Sequence, residues 1–212
     1  MSEIRLTEVI PGIHHWSAPH PDHGHVSHSY LLTEQHAALD PIGADGLLPE
    51  LERLGGVEQV LLSNRLHLRG SEEVAERFGA AIRVPAAGLH RFDGPDEPEV
   101  IAYDWGDEVM PGVTSHEVGS ISPDDGAFHI AIGPGALALA DSVMADESGL
   151  GFVPDGLMDD PERTKEGIVA SLRRLIDLKW DALLLAHGGP LPSAGKEALA
   201  SFVESPRSIS FD

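Results

Sequence analysis

Short apolar runs separated by turns rich in glycine and proline predict a chain dominated by β-strands. Most runs are about four to seven residues long, which is typical of strands, and most stop at a Gly, Pro, Asn or Asp residue. Two longer ranges are interrupted, 4–16 at Pro11-Gly12 and 100–118 at Gly106 and Pro111-Gly112. The runs that predict strands cover residues 4–16, 29–33, 37–40, 57–62, 81–84, 100–118, 128–132, 136–140 and 181–185.

Apolar residues with helical spacing interrupt this pattern at four places. A helix from Leu47 is predicted by leucines at four spaced positions, with Asp45 as its cap and Gly55 as its stop. Further helices are predicted over 71–78, from Pro161 and over 193–203. Strands that alternate with helices indicate an α/β fold, and the pattern divides into two similar halves that meet near 104–112.

The length and composition favour one globular domain over residues 1–212. Hydrophobic residues make up 42% of the chain, which is enough for a full core, and cysteine is absent. The absence of cysteine excludes disulfides, thiolate metal sites and a cysteine nucleophile. The chain shows neither a signal-like segment nor an apolar run of about 18 residues, so a cytoplasmic location is expected.

The charge balance is strongly acidic, with 14 Lys and Arg residues against 35 Asp and Glu residues and a formal net charge of −21. Such a surface repels nucleic acid and anionic membranes. Two hypotheses explain it: a halophilic source, where high salt screens the self-repulsion, or an ordinary acidic protein in which Arg displaces Lys. A rise in melting temperature in molar KCl distinguishes the first hypothesis from the second.

Polar residues follow the predicted strands at four points where α/β proteins often place their chemistry. These points are Asp40-Pro41-Ile42-Gly43, the segment SNRLHLRG over 63–70, Asp141-Ser142, and His187 in the sequence AHGGP. A single Asp after a strand is more often a turn former, and a single His beside glycines is more often structural. Their order along the chain carries more information than any one of them.

That order resembles the metallo-β-lactamase fold superfamily over nearly the whole chain. The resemblance is carried by VIPGIHHW, SHSYLL, AALDPIG, VEQVLLS, AERFG, ALALADSVM and LLLAHGGP. It implies a four-layered αβ/βα sandwich with the site at one edge. It also implies that Asp141 occupies the place of the family's bridging metal ligand and His187 the place of its last histidine.

The metal motif itself departs from the family pattern His-x-His-x-Asp-His. Without gaps, the family's ligand places fall on Asn64, Leu66, Leu68 and Arg69, and a further histidine place falls on Ser120. A slip of one residue brings His67 onto one ligand place but puts Arg65, Arg69 and Gly70 on the others. The resemblance therefore predicts that the usual two-metal site is absent, although the segment is similar to little-characterised members that have Asn-x-x-His-x-Arg here.

A guanidinium group is the predicted replacement for the missing metal. A buried Asp141 without a partner is costly, and Arg69 or Arg65 can supply a bidentate pair. Asn64 and His67 are expected beside that pair. The predicted pocket therefore consists of Asn64, His67, Arg69, Asp141 and His187, and Phe152 in the bordering loop is expected to act as a hydrophobic plug rather than as a substrate lid.

A second candidate metal site lies in the His-rich segment over residues 14–28. The ligands that this segment offers are His20, Asp22, His23 and His25, which His187 would complete. The alternative is a solvated polar loop, which we favour because clustered histidines do not by themselves enforce a coordination geometry.

Three functional hypotheses follow from these residues. The first is a hydrolase-like protein with a degenerate metal site, acting on a small molecule for which the arginines favour an anionic group. The second is non-catalytic ligand binding or structural reuse of the fold. The third is a metallohydrolase with its metal moved to the loop over 14–28, with zinc or another divalent ion as the cofactor. The sequence leaves the substrate and the oligomeric state open.

Overall fold

The computed structural model describes residues 4–22 and 24–209 of the chain. Contacts divide the chain into two compact units, one up to Asp104 and one from Trp105 onward. Each unit has its own sheet, helices and apolar core, and each is described separately below.

The first unit is built on a seven-stranded sheet in which spatial order follows chain order. Strands β1 to β4 pair antiparallel, whereas β4 to β7 pair in parallel. The strands are β1 (Thr7–Ile10), β2 (Ile13–Pro19), β3 (Val26–Leu32), β4 (Ala37–Leu39), β5 (Gln59–Leu61), β6 (Ala81–Pro85) and β7 (Val100–Tyr103). The parallel part places the ends of β4 and β5 side by side, and both ends carry candidate site residues.

Helices α1 (Leu47–Arg53) and α2 (Ser71–Phe78) belong to the first unit, together with short 3₁₀ helices at Arg65–His67 and Ala86–Phe92. The buried core of this unit contains Trp16, Leu51 and Val60. α2 ends where Gly79 adopts a left-handed conformation, as its position after the last apolar residue predicts.

The second unit contains a five-stranded sheet of order β14-β11-β10-β9-β8 and a small two-stranded sheet, β12-β13. Among the described strands of the larger sheet, only β11 and β14 run parallel. The strands are β8 (Glu108–Met110), β9 (Val113–Glu117), β10 (Gly126–Ile130), β11 (Ala136–Leu139), β12 (Met144–Asp146), β13 (Gly149–Gly151) and β14 (Ala182–Leu185).

The second unit also contains the helices α3 (Pro161–Ile176) and α4 (Gly195–Glu204), and a short 3₁₀ helix at Asp155–Leu157. Asp160 caps α3, since its Oδ1 accepts a hydrogen bond of 3.2 Å from the backbone N–H of Arg163. The buried core of this unit contains Ala127, Leu172 and Phe202.

Several local expectations differ from the structure. α1 begins after Gly46, whose left-handed φ of 80° turns the chain, so Asp45 lies one residue too early to cap the helix. The polar loop expected within the His-rich segment over 14–28 is shorter, because β2 continues through Pro19 and β3 begins at Val26. The segment between the strand predicted to end at 140 and the helix predicted from Pro161 contains the hairpin β12-β13, in which Gly149 has a left-handed φ of 109°. Each difference arises at a turn, where local backbone geometry shifts an element boundary.

Within the described ranges 4–22 and 24–209, none of the helices combines the length and the apolar character that crossing a membrane requires.

Candidate functional site

A buried carboxylate, Asp40, organises the candidate site residues of the first unit. Asp40 directly follows β4 and is only 7% exposed. Its φ of 45° is left-handed, a conformation that Asp tolerates better than most residues. Its Oδ1 accepts a 2.8 Å hydrogen bond from the backbone N–H of Ser63, and its Oδ2 accepts one from the Ser63 hydroxyl. The strand end at Asp40 is thereby fastened to the end of the neighbouring strand β5.

The loop after Asp40 is also fixed by short contacts. The Ser29 hydroxyl donates to the Asp40 carbonyl at 2.6 Å and accepts from the Ile42 N–H at 2.8 Å. The Gly70 N–H donates to the Pro41 carbonyl at 2.9 Å. A side chain at position 70 is excluded because a Cβ there would lie 2.6 Å from the backbone nitrogen of Gly43. The segment over 63–70 is therefore held at both ends against the Asp40 loop.

His67 lies inside this framework with one edge of its imidazole ring fixed. The side chain is 2% exposed, and its Nδ1 lies 3.0 Å from both Asp40 Oδ2 and the Ser63 hydroxyl. A carboxylate beside Nδ1 favours the tautomer that carries its proton on Nδ1, which leaves the lone pair on Nε2. Asn64 Nδ2 lies 3.5 Å from this Nε2, at the outer limit of a hydrogen bond. The ring is thus prepared to use Nε2 as a metal ligand or as a base.

The electrostatics of this half keep Asp40 ionised. Burial raises the pKa of the Asp40 carboxyl, but the contacts with His67, the positive charge of Arg69 and the Ser63 hydrogen bond together hold the pKa below its ordinary value. Arg69 itself has a left-handed φ of 41°. Two of the predicted pocket residues, His67 and Arg69, therefore both act on Asp40, which the sequence suggests only as a turn former.

Asn64 and Leu66 show how the local backbone selects the residue that faces inward. Asn64 Oδ1 accepts a 2.9 Å hydrogen bond from the Leu66 N–H and so caps the 3₁₀ helix Arg65–His67. This single turn leaves Leu66 62% exposed while it buries His67. A gapless alignment to the family motif puts Leu66 at a ligand place, but the structure turns the next residue inward instead.

In the second unit, Asp141 and His187 form a close pair at neighbouring strand ends. Asp141 follows β11, His187 follows β14, and these strands are parallel neighbours. Asp141 Oδ1 lies 3.2 Å from His187 Nε2, and both side chains are partly exposed. The distance suits an ion pair, and it also matches the separation of roughly 3.3 Å between two atoms that bind one tetrahedral zinc at about 2.0–2.1 Å.

A second buried carboxylate, Asp125, supports Asp141 from behind. Asp125 is 1% exposed and lies just before β10. Its Oδ1 accepts a 3.0 Å hydrogen bond from the Asp141 N–H, and its Oδ2 accepts one from the Ser142 hydroxyl. Asp125 is not among the residues predicted from the sequence, where its one signal is a place in the turn Ser-Pro-Asp-Asp-Gly before an apolar strand.

The backbone after His187 is fixed by glycine. The His187 carbonyl accepts a 3.1 Å hydrogen bond from the Ala145 N–H. Gly188 has a φ of 103°, and a Cβ at this position would lie 2.4 Å from the Ala145 carbonyl oxygen. Close backbone approach therefore requires glycine after His187, and it sets the direction in which His187 leaves its strand.

The His-rich segment is a hairpin whose described histidines are spread over strands and loop. His20 and Asp22 lie 3.9 Å apart in the loop, while His23 lies outside the described residues. A shorter contact joins the strand residues His15 and His28, whose Nε2 and Nδ1 atoms lie 2.8 Å apart. Their rings stack with centroids 5.1 Å apart. Relocation of a metal to His20, Asp22, His23 and His25 stays a prediction.

Two other candidate residues have structural surroundings. Ser120 lies beside α3, where its hydroxyl would collide with any side chain at Gly167. Phe152 is 2% exposed and packs edge-to-face on Phe202, with ring centroids 4.9 Å apart. Phe152 therefore belongs to the core, as the plug hypothesis expects. The predicted ion pair between Arg69 and Asp141 stays a prediction.

Comparison with solved structures identifies the fold. A B3 metallo-β-lactamase with an active-site glutamic acid matches with a TM-score of 0.66, covering 96% of this chain and 87% of its own, at 16% identity. A metallo-β-lactamase family protein from Thermus thermophilus matches with a TM-score of 0.68, covering 93% and 80%, at 16% identity. Rubredoxin oxygen:oxidoreductase from Desulfovibrio gigas matches with a TM-score of 0.67, covering 94% of this chain and 61% of its own, at 16% identity.

These identities are low, so the structural matches show the fold and leave the activity open. The chain matches none of the curated protein sequences. In contrast, the profile described as "Metallo-beta-lactamase superfamily" matches residues 10–205, which is most of the chain. The fold class predicted from the sequence is confirmed, and the protein belongs to the metallo-β-lactamase superfamily.

Proposed function

We propose that this protein is a hydrolase whose metal site is reduced to one divalent ion, with His67, Asp141 and His187 as the protein ligands. Each of these residues offers one donor atom, and two imidazoles with one carboxylate form a donor set that zinc accepts. The proposal gives His67, which the motif alignment places in a spacer, the role of a ligand. It keeps the prediction that the usual two-metal site is absent.

The observation that carries this proposal is the contact between Asp40 and His67. Metal-binding histidines almost always donate their second ring N–H to a carboxylate, a carbonyl or water, which fixes the tautomer and raises the basicity of the ligand nitrogen. His67 Nδ1 has such a carboxylate at 3.0 Å, on a side chain that is 2% exposed. Burying the Asp40 charge is costly, and a packing histidine would not need a carboxylate behind it. The arrangement therefore supports a role for His67 as a ligand.

A divalent ion bound by these residues would supply Lewis-acid chemistry, because a bound ion of this kind lowers the pKa of water and makes it a nucleophile near neutral pH. The residues of the chain then have separate tasks. Asp40 and Ser63 orient His67, and Asp125 and Ser142 fix the backbone at Asp141. Asn64 contributes a side-chain amide beside Nε2 of His67.

The arginines of the first unit favour an anionic substrate. Arg65 and Arg69 flank His67 in a chain that has 14 basic and 35 acidic residues, so two cations within five positions stand out against the general charge. A guanidinium group binds carboxylate and phosphate groups in a bidentate manner. The same charge opposes a metal cation nearby. The single-metal proposal therefore predicts that Arg69→Gln binds the ion more tightly than the wild type.

A metal analysis tests the proposal directly. The protein is dialysed against chelator, re-equilibrated with Zn²⁺, Mn²⁺ or Fe²⁺, and assayed for bound metal. We expect about one ion per chain, its loss in His67→Ala and His187→Ala, and an affinity lower by roughly 10- to 100-fold in Asp40→Asn. His90→Ala, which removes an exposed histidine, is the matched control. Binding that is absent in the wild type, or unchanged in His67→Ala, contradicts the proposal.

The pair of Asp141 and His187 supports a second candidate function, acid/base catalysis without a metal. Their contact of 3.2 Å is that of a carboxylate that orients an imidazole. Hydrolysis of a panel of chromogenic esters, lactones and phosphodiesters, measured before and after chelation, separates the two functions. Activity that survives chelation but is lost in His187→Ala favours the metal-free function.

A further inference from the structure

We propose that Asp125 is a positioning residue that fixes the backbone at Asp141 and thereby the orientation of the Asp141 side chain, which lies 3.2 Å from His187. The inference deepens the proposed function and rests on it in one respect, namely that Asp141 is a ligand. The local geometry that carries it lies entirely within the second unit.

The carboxylate of Asp125 accepts hydrogen bonds from two consecutive residues, Asp141 and Ser142. Of its two carboxylate oxygens, one accepts from the Asp141 N–H at 3.0 Å and the other from the Ser142 hydroxyl. Both oxygens are directed at the first residues after β11, where the strand ladder has ended. The carboxylate thus takes the place of the next backbone acceptor in the sheet, and it fixes the backbone conformation at Asp141.

Asp125 itself is held rigidly. Its carbonyl accepts from the N–H groups of Val118 and Gly119 at 3.1 and 2.9 Å, and its own N–H donates to the Ser122 carbonyl at 3.0 Å. Because Asp125 is 1% exposed, water competes little for the donors of its carboxylate. Because the backbone of Asp125 is held in place, its carboxylate can fix the positions of the Asp141 N–H and the Ser142 hydroxyl. Such a residue does more than fill space.

Register explains why Asp125 reaches Asp141. β10 and β11 are antiparallel with Ala127 opposite Leu139, so two residues further along Asp125 stands opposite Asp141. The Ala140 N–H donates to the Gly126 carbonyl at 3.1 Å, which extends the ladder up to the carboxylate. The neighbouring Asp124 is equally buried, but its Oδ1 accepts from the Ser122 hydroxyl. Asp124 therefore offers a matched control on the same turn.

The experiment compares Asp125→Ala, Asp125→Asn and Asp124→Ala by residue-resolved amide hydrogen exchange without metal. In Asp125→Ala we expect exchange of the Asp141 amide to speed up by about tenfold or more, because its acceptor is lost. Asparagine retains one acceptor oxygen, so Asp125→Asn should restore much of the protection. Asp124→Ala should leave Asp141 protected. The Leu184 amide, within β14, reports global stability.

Zn²⁺ affinity is measured on the same variants. We expect Asp125→Ala to bind roughly 10- to 100-fold more weakly, as for loss of a group that orients a ligand, and Asp124→Ala to bind like the wild type. If Asp125→Ala speeds exchange at Asp141 and Leu184 equally, or if Asp124→Ala has the same effect, the positioning role is refuted. If the wild type binds no Zn²⁺ but Asp141 alone loses protection in Asp125→Ala, the metal proposal fails and the positioning role holds.

Discussion

Asp40 in the first unit and Asp125 in the second each fix the end of a neighbouring strand, which is parallel in the first unit and antiparallel in the second. Each is a buried carboxylate that accepts one backbone N–H and one serine hydroxyl from the end of the neighbouring strand. β4 and β5 are parallel, so Asp40 and Ser63 both follow their strands. β10 and β11 are antiparallel, so Asp125 precedes its strand while Ser142 follows.

The likeness of these two carboxylates reflects a local need rather than a shared topology. At the end of a strand the backbone N–H loses its ladder partner, and a buried N–H without an acceptor is costly. A carboxylate satisfies that donor and has a second oxygen available for a serine. In the first unit the carboxylate reaches one step further, to His67 Nδ1, whereas in the second unit it binds the backbone of the candidate ligand.

The largest expected effect comes from the glycines that close each half. Gly188→Ala combines a left-handed φ of 103° with a Cβ placed 2.4 Å from a backbone oxygen, and Gly70→Ala places a Cβ 2.6 Å from a backbone nitrogen. Since neither neighbour is a flexible side chain, we expect a loss in free energy of unfolding of about 4 kcal/mol for Gly188→Ala and about 3 kcal/mol for Gly70→Ala.

Urea denaturation measures both losses, and Gly156→Ala, with open space around its Cβ, is the control that should change little. A Gly70→Ala protein as stable as the control would show that the Asp40 loop is not tightly held. The two units would then differ in how rigidly they hold their supporting carboxylates.

Much of the fold could be predicted from the sequence, because strand and helix periodicity survives in short apolar runs. The four helices and the strand ends at Asp141 and His187 were anticipated on this basis. His67 was predicted as a pocket residue, but the reason that it turns inward was not, since this depends on a single 3₁₀ turn capped by Asn64 and not on spacing from a motif. A turn of this length is hardly indicated by the types of residue that form it.

The two supporting carboxylates could not be recognised for a different reason. An Asp beside a strand end is usually a turn former, and only the partner distinguishes Asp40 or Asp125 from that majority. Those partners lie 23 and 16 residues away along the chain, at Ser63 and Asp141. Strand register decides such contacts, and register is a property of the assembled sheet.

The serines provide the intermediate test of the comparison. Ser63→Ala and Ser142→Ala each remove a hydroxyl that donates to a buried carboxylate, so each should lower the free energy of unfolding by about 2 kcal/mol. Ser201→Ala, at an exposed position of α4, is the control. Because Ser63 also contacts His67 Nδ1, Ser63→Ala should weaken metal binding more than Ser142→Ala, which acts only through Asp125 and the Asp141 backbone. Equal metal affinity in the two variants would mean that the carboxylates of both units support the metal ligands to the same extent.

The smallest effect expected is a pH dependence that both halves share. Each unit contains a half-buried histidine near a second histidine: His15 beside His28, and His116 with its ring centroid 6.4 Å from that of His129. Burial lowers the pKa of His15 below its ordinary 6.5. Burial, and then the charge of His129, lower the pKa of His116 in the same direction.

A lowered pKa means that the unfolded chain takes up these protons first. Stability should therefore be full above the unfolded pKa of 6.5 and fall as pH drops from there toward the lowered folded values. Urea denaturation at about pH 7.5 and about pH 5.5 measures the loss, which His15→Gln and His116→Gln should each reduce, while His90→Gln at an exposed position should not.

Because His15 shares a 2.8 Å hydrogen bond with His28, whereas His116 meets His129 edge to face, His15→Gln should also lower stability at the higher pH. A His15→Gln protein that gains stability at both pH values would show that the imidazole pair destabilises the first unit rather than linking β2 to β3.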